Sequence, residues 1–201
     1  QEAFRFKSFL TRLRFIVLYL VQSYSFKKAN GLIFLTDYAR SLITKKINIS
    51  SEEGIIIPHG INTSFMNKPR LQHDINQYNE ASPFKILYVS IVTAYKHQWN
   101  VAKAIVLLRK AGLPVVLEIV GPKVKDGFDK LQEVINNNDP NGEFINYRGA
   151  VDHEILKDYY LDADAFVFAS SCENMPIILI EAMSAGLPIA CSNRGPMPEV
   201  L

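Results

Sequence analysis

Cysteine is scarce in this chain of 201 residues, with only Cys172 and Cys191. They lack the paired spacing of a disulfide framework or a zinc site, so the sequence points to reduced thiols in a cytoplasmic protein. Cys172 adjoins Glu173, but the sequence pattern offers no convincing general base for it, and it reads as a small packing residue rather than a nucleophile. Long apolar runs are missing too. The uncharged run from Phe15 to Ser25 falls short of the roughly 20 residues a spanning helix needs. A formal net charge of +2 gives no ground for nucleic acid as the main partner. No internal repeat or low-complexity tract is present. What remains is 48% hydrophobic and 21% charged residues, the balance of an ordinary globular protein, in a length that holds one good core or parts of two domains. The chain opens without Met inside a helical pattern and stops at Met197-Pro-Glu-Val-Leu201, where another helix should begin, so it reads as a fragment.

Along the chain, residues 4–28 alternate basic and apolar side chains, with Arg5, Lys7, Arg12, Arg14, Lys27 and Lys28 around Phe15–Val21. Two readings fit: a buried helix of a domain continuing upstream, or an amphipathic helix resting on an anionic membrane surface. Gly31–Leu35 reads as a short strand, Thr36-Asp37 as the cap of a helix running to Lys46, and Ile55–Ile57 as a second strand. The turn Pro58-His59-Gly60-Ile61-Asn62 follows, where Gly60 is expected to need a positive φ or the space a Cβ would fill. Residues 1–65 are assigned to the end of an N-terminal domain. Residues 66–83, polar and bearing Pro69 and Pro83, read as a linker, and 84–201 as a second domain.

In that second domain strands and helices alternate, which predicts an α/β doubly wound parallel sheet. Strands are expected at Phe84–Val89, Val115–Val120, Phe144–Tyr147, Ala165–Ala169 and Ile189–Cys191. Helices are expected at Gln98–Lys110, Val124–Asn138, Asp152–Leu161 and Ile177–Ala185, with Asp152 as an N-cap. Asp162 and Asp164 read as helix-end acids on a solvated face. Gly121, after the second of these strands, either lets a ligand approach the backbone or simply ends the strand.

The stretch Ser170–Pro188, SSCENMPIILIEAMSAGLP, carries the strongest signal. Glu173 and Glu181 are eight residues apart, with Pro176 between them placed to be the first helical residue. Glu173 then lies on the loop and Glu181 inside the helix, whose first-turn N–H groups face an anion beyond the carboxyl end of the sheet.

This segment resembles the E-x7-E signature of the retaining, nucleotide-sugar-dependent glycosyltransferases with the GT-B fold. The resemblance implies Glu173 at the transferred sugar, Glu181 at the nucleotide ribose, and backbone amides around Asn174, Met175, Ile177 and Ile178 as supporting donors. The first βα junction, Tyr88–Asn100, is similar to the family's G-R-L…K-G loop, which implies that Lys96 binds the donor diphosphate. Ser90 stands for the family's Gly and Ile91 for its Arg. Ser90 then either donates to a phosphate or packs. The YKHQW variant looks like a branch found among bacterial O-antigen and polysaccharide mannosyltransferases. Pro58–Asn62 resembles the family's P-N-G-V-D turn, and Arg148-Gly149-Ala150-Val151 its F-x-G-x-V turn, which implies Gly149 beside the nucleobase.

Together these imply a Rossmann-like, donor-binding GT-B domain preceded by the end of a second Rossmann-like domain. The implied reaction moves a hexosyl group, with retention and without metal, from a nucleotide diphosphate sugar, GDP-mannose being preferred, to a hydroxyl of a sugar or lipid-linked glycan acceptor. Lys96 and Glu173 are its candidate catalytic residues. The competing readings are a nucleotide-sugar epimerase on the same architecture and a non-catalytic nucleotide-sugar-binding module.

Overall fold

The structure, a computed structural model, describes residues 9–50, 54–66 and 72–201. Arg5, Lys7 and Pro69 lie outside the described residues. The chain forms two compact units, Gln1–Pro58 and His59–Leu201.

The first unit holds α1 (Phe9–Lys28), β1 (Leu32–Phe34), α2 (Asp37–Ile47) and β2 (Gly54–Ile56), the two strands pairing in parallel. Thr36 caps α2 as expected: its backbone is extended and its hydroxyl accepts the Ala39 N–H at 3.1 Å. Helix α1 leaves Phe9, Leu10, Ile16, Leu20 and Tyr24 exposed. No helix among the described residues is long and apolar enough to cross a membrane.

The second unit is built on a five-stranded, all-parallel sheet of β3 (Phe84–Val89), β4 (Val115–Val120), β5 (Ile145–Gly149), β6 (Ala165–Phe168) and β7 (Ile189–Cys191). Its spatial order is β5-β4-β3-β6-β7. Between the strands run α3 (Gln98–Lys110), α4 (Lys125–Asn138), α5 (His153–Asp162) and α6 (Ile177–Ser184), and α7 (Met197–Val200) closes the chain. Helices α3 and α4 pack together, and the right-handed crossover rule puts α5 and α6 on the opposite face. Covered on both faces, the central strands are apolar almost throughout. Leu87, Tyr88, Leu117, Ile119, Phe166 and Phe168 are essentially inaccessible to solvent and form the core.

Residues 59–65, read from sequence as the end of the first domain, pack with the second unit. Phe65 is buried, edge-on to Tyr160 with centroids 5.5 Å apart. Gly60 departs from expectation: its φ is not positive, and a Cβ there would meet nothing within 4 Å. Its turn is open, and glycine is not required by sterics.

The described part of the expected linker is docked on the sheet. Tyr78 Oη donates to Asp164 Oδ1 at 2.8 Å, and the Lys85 N–H donates to Asp164 Oδ2 at 2.8 Å. Asp164 is therefore buried, not solvated as expected, because it satisfies a strand N–H and a tyrosine where the chain enters β6. Asp162 is the exposed partner of Lys85. Asp152 stands at the N-cap of α5, but its side chain makes no capping bond; its carbonyl accepts from Ile155 and Leu156 instead.

Candidate functional site

The chain runs β3, β4, β5 outward in one direction and then returns to place β6 on the other side of β3. The loops leaving β3 and β6 therefore diverge toward opposite faces of the sheet. The place where they part, at the carboxyl edge, is the topological switch point, where open α/β sheets bind ligands. One loop carries Lys96 and the other Glu173.

Lys96 lies in a short 3-10 turn, Ala94–Lys96, ahead of α3. Its Nζ donates to Glu173 Oε1, the two side chains being 9% and 12% exposed. The ammonium also sits 4.9 Å from the centroid of the Phe168 ring and 5.5 Å from that of Tyr95, contacts that favour a cation. The two residues that the sequence nominated from separate motifs are thus in direct contact.

Several bonds hold the two loops in register. Tyr88 Oη donates to the Lys96 carbonyl and accepts the Ala169 N–H at 3.3 Å, so one buried phenol joins the ends of both loops. Burial and the negative charge of Glu173 push the Tyr88 hydroxyl far above its ordinary range, against the opposing effect of the Ala169 N–H. The Ser171 N–H donates to the Tyr95 carbonyl at 2.9 Å, and Ser171 Oγ is 3.0 Å from His97 Nε2. His97 occupies the position of glycine in the K-G pattern and adopts φ 57°, the left-handed conformation that glycine reaches without strain.

Helix α6 starts at Ile177, and Pro176, expected as its first helical residue, stands at the N-cap instead. The Ile177 and Ile178 amides stand in its first turn, where helix geometry supplies no intrahelical acceptor. Asn174 is exposed in the loop before them. The Met175 sulfur accepts the His59 N–H at 3.3 Å, tying the turn at residues 59–62 to this loop. Glu181, inside α6, is 5% exposed, and its Oε2 accepts from Tyr160 Oη of α5 at 2.8 Å. Burial, followed by the charge and hydrogen bond of Glu181, raises the Tyr160 hydroxyl above its ordinary range and keeps it a donor.

The remaining nominated residues border the same edge of the sheet. Ser90 is buried; its N–H donates to the Val120 carbonyl at 2.9 Å and its hydroxyl to the Ile91 carbonyl at 3.3 Å. Gly121 has φ 139°, and a Cβ there would fall 2.2 Å from the Ser90 carbonyl oxygen, so a protein neighbour makes the close approach at this position. Gly149 accepts the Gly121 N–H at 2.8 Å and has open space where its Cβ would stand. Arg148 is half-exposed and paired with Glu118 at 2.7 Å. No group of three or more potential metal ligands occurs among the described residues.

Sequence reasoning missed Tyr88, Tyr160, Gln98 and Gly127. Gln98 is fully buried and donates to the Ile91 carbonyl at 2.9 Å, bracing the loop from beneath. At Gly127, in the first turn of α4, a Cβ would stand 2.4 Å from the Thr93 carbonyl carbon. A glycine one turn into an amphipathic helix was the legible signal for that close approach. The tyrosines gave none, since a core tyrosine and a bracing tyrosine look alike in sequence.

The chain matches the model of the glycosyl transferases group 1 over residues 72–201. It is 25% identical over 186 residues to O-antigen chain mannosyltransferase B of Escherichia coli, covering 88% of this chain and 47% of that protein. Over 115 residues it is 30% identical to the UDP-N-acetylglucosamine–peptide N-acetylglucosaminyltransferase GtfA subunit of Streptococcus agalactiae, covering 56% of this chain and 21% of that one. Among solved structures, Anabaena Alr3699/HepE in complex with UDP and glucose superposes with a TM-score of 0.70 at 18% identity, covering 86% of this chain and 47% of the other. The chain thus spans about half the length of the mannosyltransferase and of HepE. Its doubly wound sheet is the one GT-B glycosyltransferases share, and with the match over residues 72–201 the chain belongs to the glycosyl transferases group 1 family.

Proposed function

We propose that this chain carries the donor-binding site of a retaining glycosyltransferase acting in polysaccharide or lipopolysaccharide synthesis. The observation that carries the reading is the meeting of Lys96 and Glu173 across the switch point, at the head of α6. A nucleotide diphosphate sugar laid there would set its diphosphate against the α6 amides and the Lys96 ammonium, its sugar beside Glu173 and its ribose toward Glu181. The C1–O bond to the diphosphate breaks and a C1–O bond to the acceptor hydroxyl forms on the same face. The departing phosphate takes the acceptor's proton, while Lys96 and the amides stabilise its growing negative charge without a metal. GDP-mannose is the favoured donor, supported by the similarity to an O-antigen mannosyltransferase. HepE, in contrast, is described with UDP and glucose, so UDP-glucose is the competing donor. The acceptor is a sugar or lipid-linked glycan.

The reading places the enzyme in the cytoplasm. Exposed apolar residues go round α1 instead of lining one face, which favours burial against further chain over a helix lying on the inner membrane surface.

Equilibrium binding of GDP-mannose and UDP-glucose to the wild type and to Lys96→Met tests the proposal. The expected result is binding of at least one donor, lost or strongly weakened in the variant; equal affinities would refute the diphosphate role of Lys96. With the complete enzyme, release of free nucleoside diphosphate only when acceptor is present separates transfer from epimerisation.

A further inference from the structure

Lys96 and Glu173 neutralise each other in the position where the preceding reading docks a diphosphate. Side chains only 9% and 12% exposed are weakly screened, so an incoming anion meets a pair of zero net charge, not a free ammonium. A bare diphosphate that captured Lys96 would leave the Glu173 carboxylate enclosed, without its cation and beside negative phosphate oxygens, which is costly. A diphosphate bearing a sugar differs in one respect: it brings hydroxyl donors that can satisfy the carboxylate once the ammonium turns to the phosphate.

Resting on the donor-binding reading, we propose that Glu173 is a selectivity latch. It holds Lys96 while the site is empty and yields it only to a diphosphate that carries a polyhydroxylated group. After transfer the sugar hydroxyls depart, the carboxylate reclaims the ammonium, and the spent nucleoside diphosphate is expelled.

The loops are built for such an exchange of partners. Tyr88 ties the Lys96 carbonyl to the Ala169 N–H, and the Ser171 N–H is bonded to the Tyr95 carbonyl. With both backbones pinned, only the two side chains need to move, and they are returned to each other when the ligand leaves. Ile91, standing where the family pattern has arginine, makes Lys96 the remaining cation of that motif, which raises the effect of neutralising it.

The test is calorimetric titration of the chain with GDP, UDP, GDP-mannose and UDP-glucose, for wild type, Glu173→Gln and Glu173→Ala. Wild type should bind its nucleotide sugar at least about tenfold more tightly than the matching diphosphate, tenfold being about 1.4 kcal/mol and near the lower end of one charge-assisted hydrogen bond. In Glu173→Gln the bare diphosphate should bind about tenfold more tightly than in wild type, and the preference for the sugar-bearing form should vanish. Glu173→Ala should change in the same direction and serves if the glutamine variant does not fold. A wild type that prefers the bare diphosphate, or variants that bind it no better than wild type, would overturn the latch while leaving the donor site intact. A wild type that binds none of the four ligands would overturn both readings, and that failure shows before any variant is made.

Discussion

Tyr160 Oη, on α5, donates to Glu181 Oε2, on α6, at 2.8 Å, and both side chains are buried. The bond fixes the carboxylate proposed to meet the nucleotide ribose, and it joins the two helices on one face of the sheet. The Tyr160 ring is itself held by Phe65 at 5.5 Å and stacked on Phe166 at 5.7 Å, so the phenol has little freedom to turn away.

Tyr160→Phe should keep the ring packing and remove only the donor. Leaving a buried carboxylate short of one hydrogen bond should lower stability by about 1–3 kcal/mol. If Glu181 meets the ribose, the variant should also bind ribonucleotides and 2′,3′-dideoxynucleotides with more similar affinities than wild type does. Chemical denaturation and a paired titration check the two halves separately; unchanged discrimination would restrict Tyr160 to a structural role.

Alkaline pH should destabilise the second unit through its buried phenols. Tyr88 and Tyr160 are raised in the folded state above their ordinary value of 10.0. Above about pH 10 the unfolded chain loses these protons while the native chain keeps them, so ν of the unfolded state is the smaller and stability falls as pH rises. Each phenol contributes a slope of up to about 1.4 kcal/mol per pH unit. Their stabilising contribution is whole below pH 10 and declines above it. Denaturation between pH 8 and pH 11 should show this decline, reduced in Tyr160→Phe, and ultraviolet titration should count two tyrosines that ionise only on unfolding.

Asp139 accepts three backbone N–H groups, from Glu143 at 2.7 Å, Phe144 at 2.9 Å and Ile145 at 2.6 Å. It organises the turn that starts β5, and it is buried. Asp139→Ala strands these donors and should cost roughly 2–4 kcal/mol of stability. Asp139→Asn, which keeps one acceptor oxygen, should cost less. A thermal shift for the alanine variant no larger than for a surface Asp→Ala change such as Asp158→Ala would contradict the account.

Gly121→Ala forces a Cβ to within 2.2 Å of the Ser90 carbonyl at a φ of 139°. Strain and clash together should destabilise by at least about 2 kcal/mol. Because Ser90 begins the Lys96 loop, nucleotide binding should weaken as well. Calorimetry on the folded fraction separates the two effects.

Much of this was legible in the chain because it depends on local rules. The parallel strands β3, β4 and β7 are largely apolar, interrupted only by Lys85 and Glu118, and their expected bounds match the structure. Helix α3 matches as well, because its apolar period is clean and its ends are polar. Elsewhere bounds shifted by a residue or two, as at β5, where a register shift opposite Ile119 and Val120 skips Arg148 and carries the strand on to Gly149. Pro176 is extended rather than helical, since the turn before α6 needs an extended residue there. The expectations for Asp164 and Gly60 failed for a different reason. Whether an acid is solvated or a glycine is crowded depends on what distant chain arrives beside it, and no local pattern encodes that arrival.

The order of residue types by itself determined the alternation of strands and helices, the two loops that bear Lys96 and Glu173, and the helix that begins after Pro176. These follow from apolar periodicity, proline chemistry and motif spacing, all of which act within about 20 residues. Only the tertiary structure decided that the return of the chain sets β6 against β3, and so brings an ammonium and a carboxylate 77 positions apart into one ion pair. It alone decided that Tyr88 and Tyr160 brace the site. Strand order and buried hydrogen-bond partners are outcomes of packing the whole sheet at once, where each polar group must find the donor or acceptor that the fold leaves beside it.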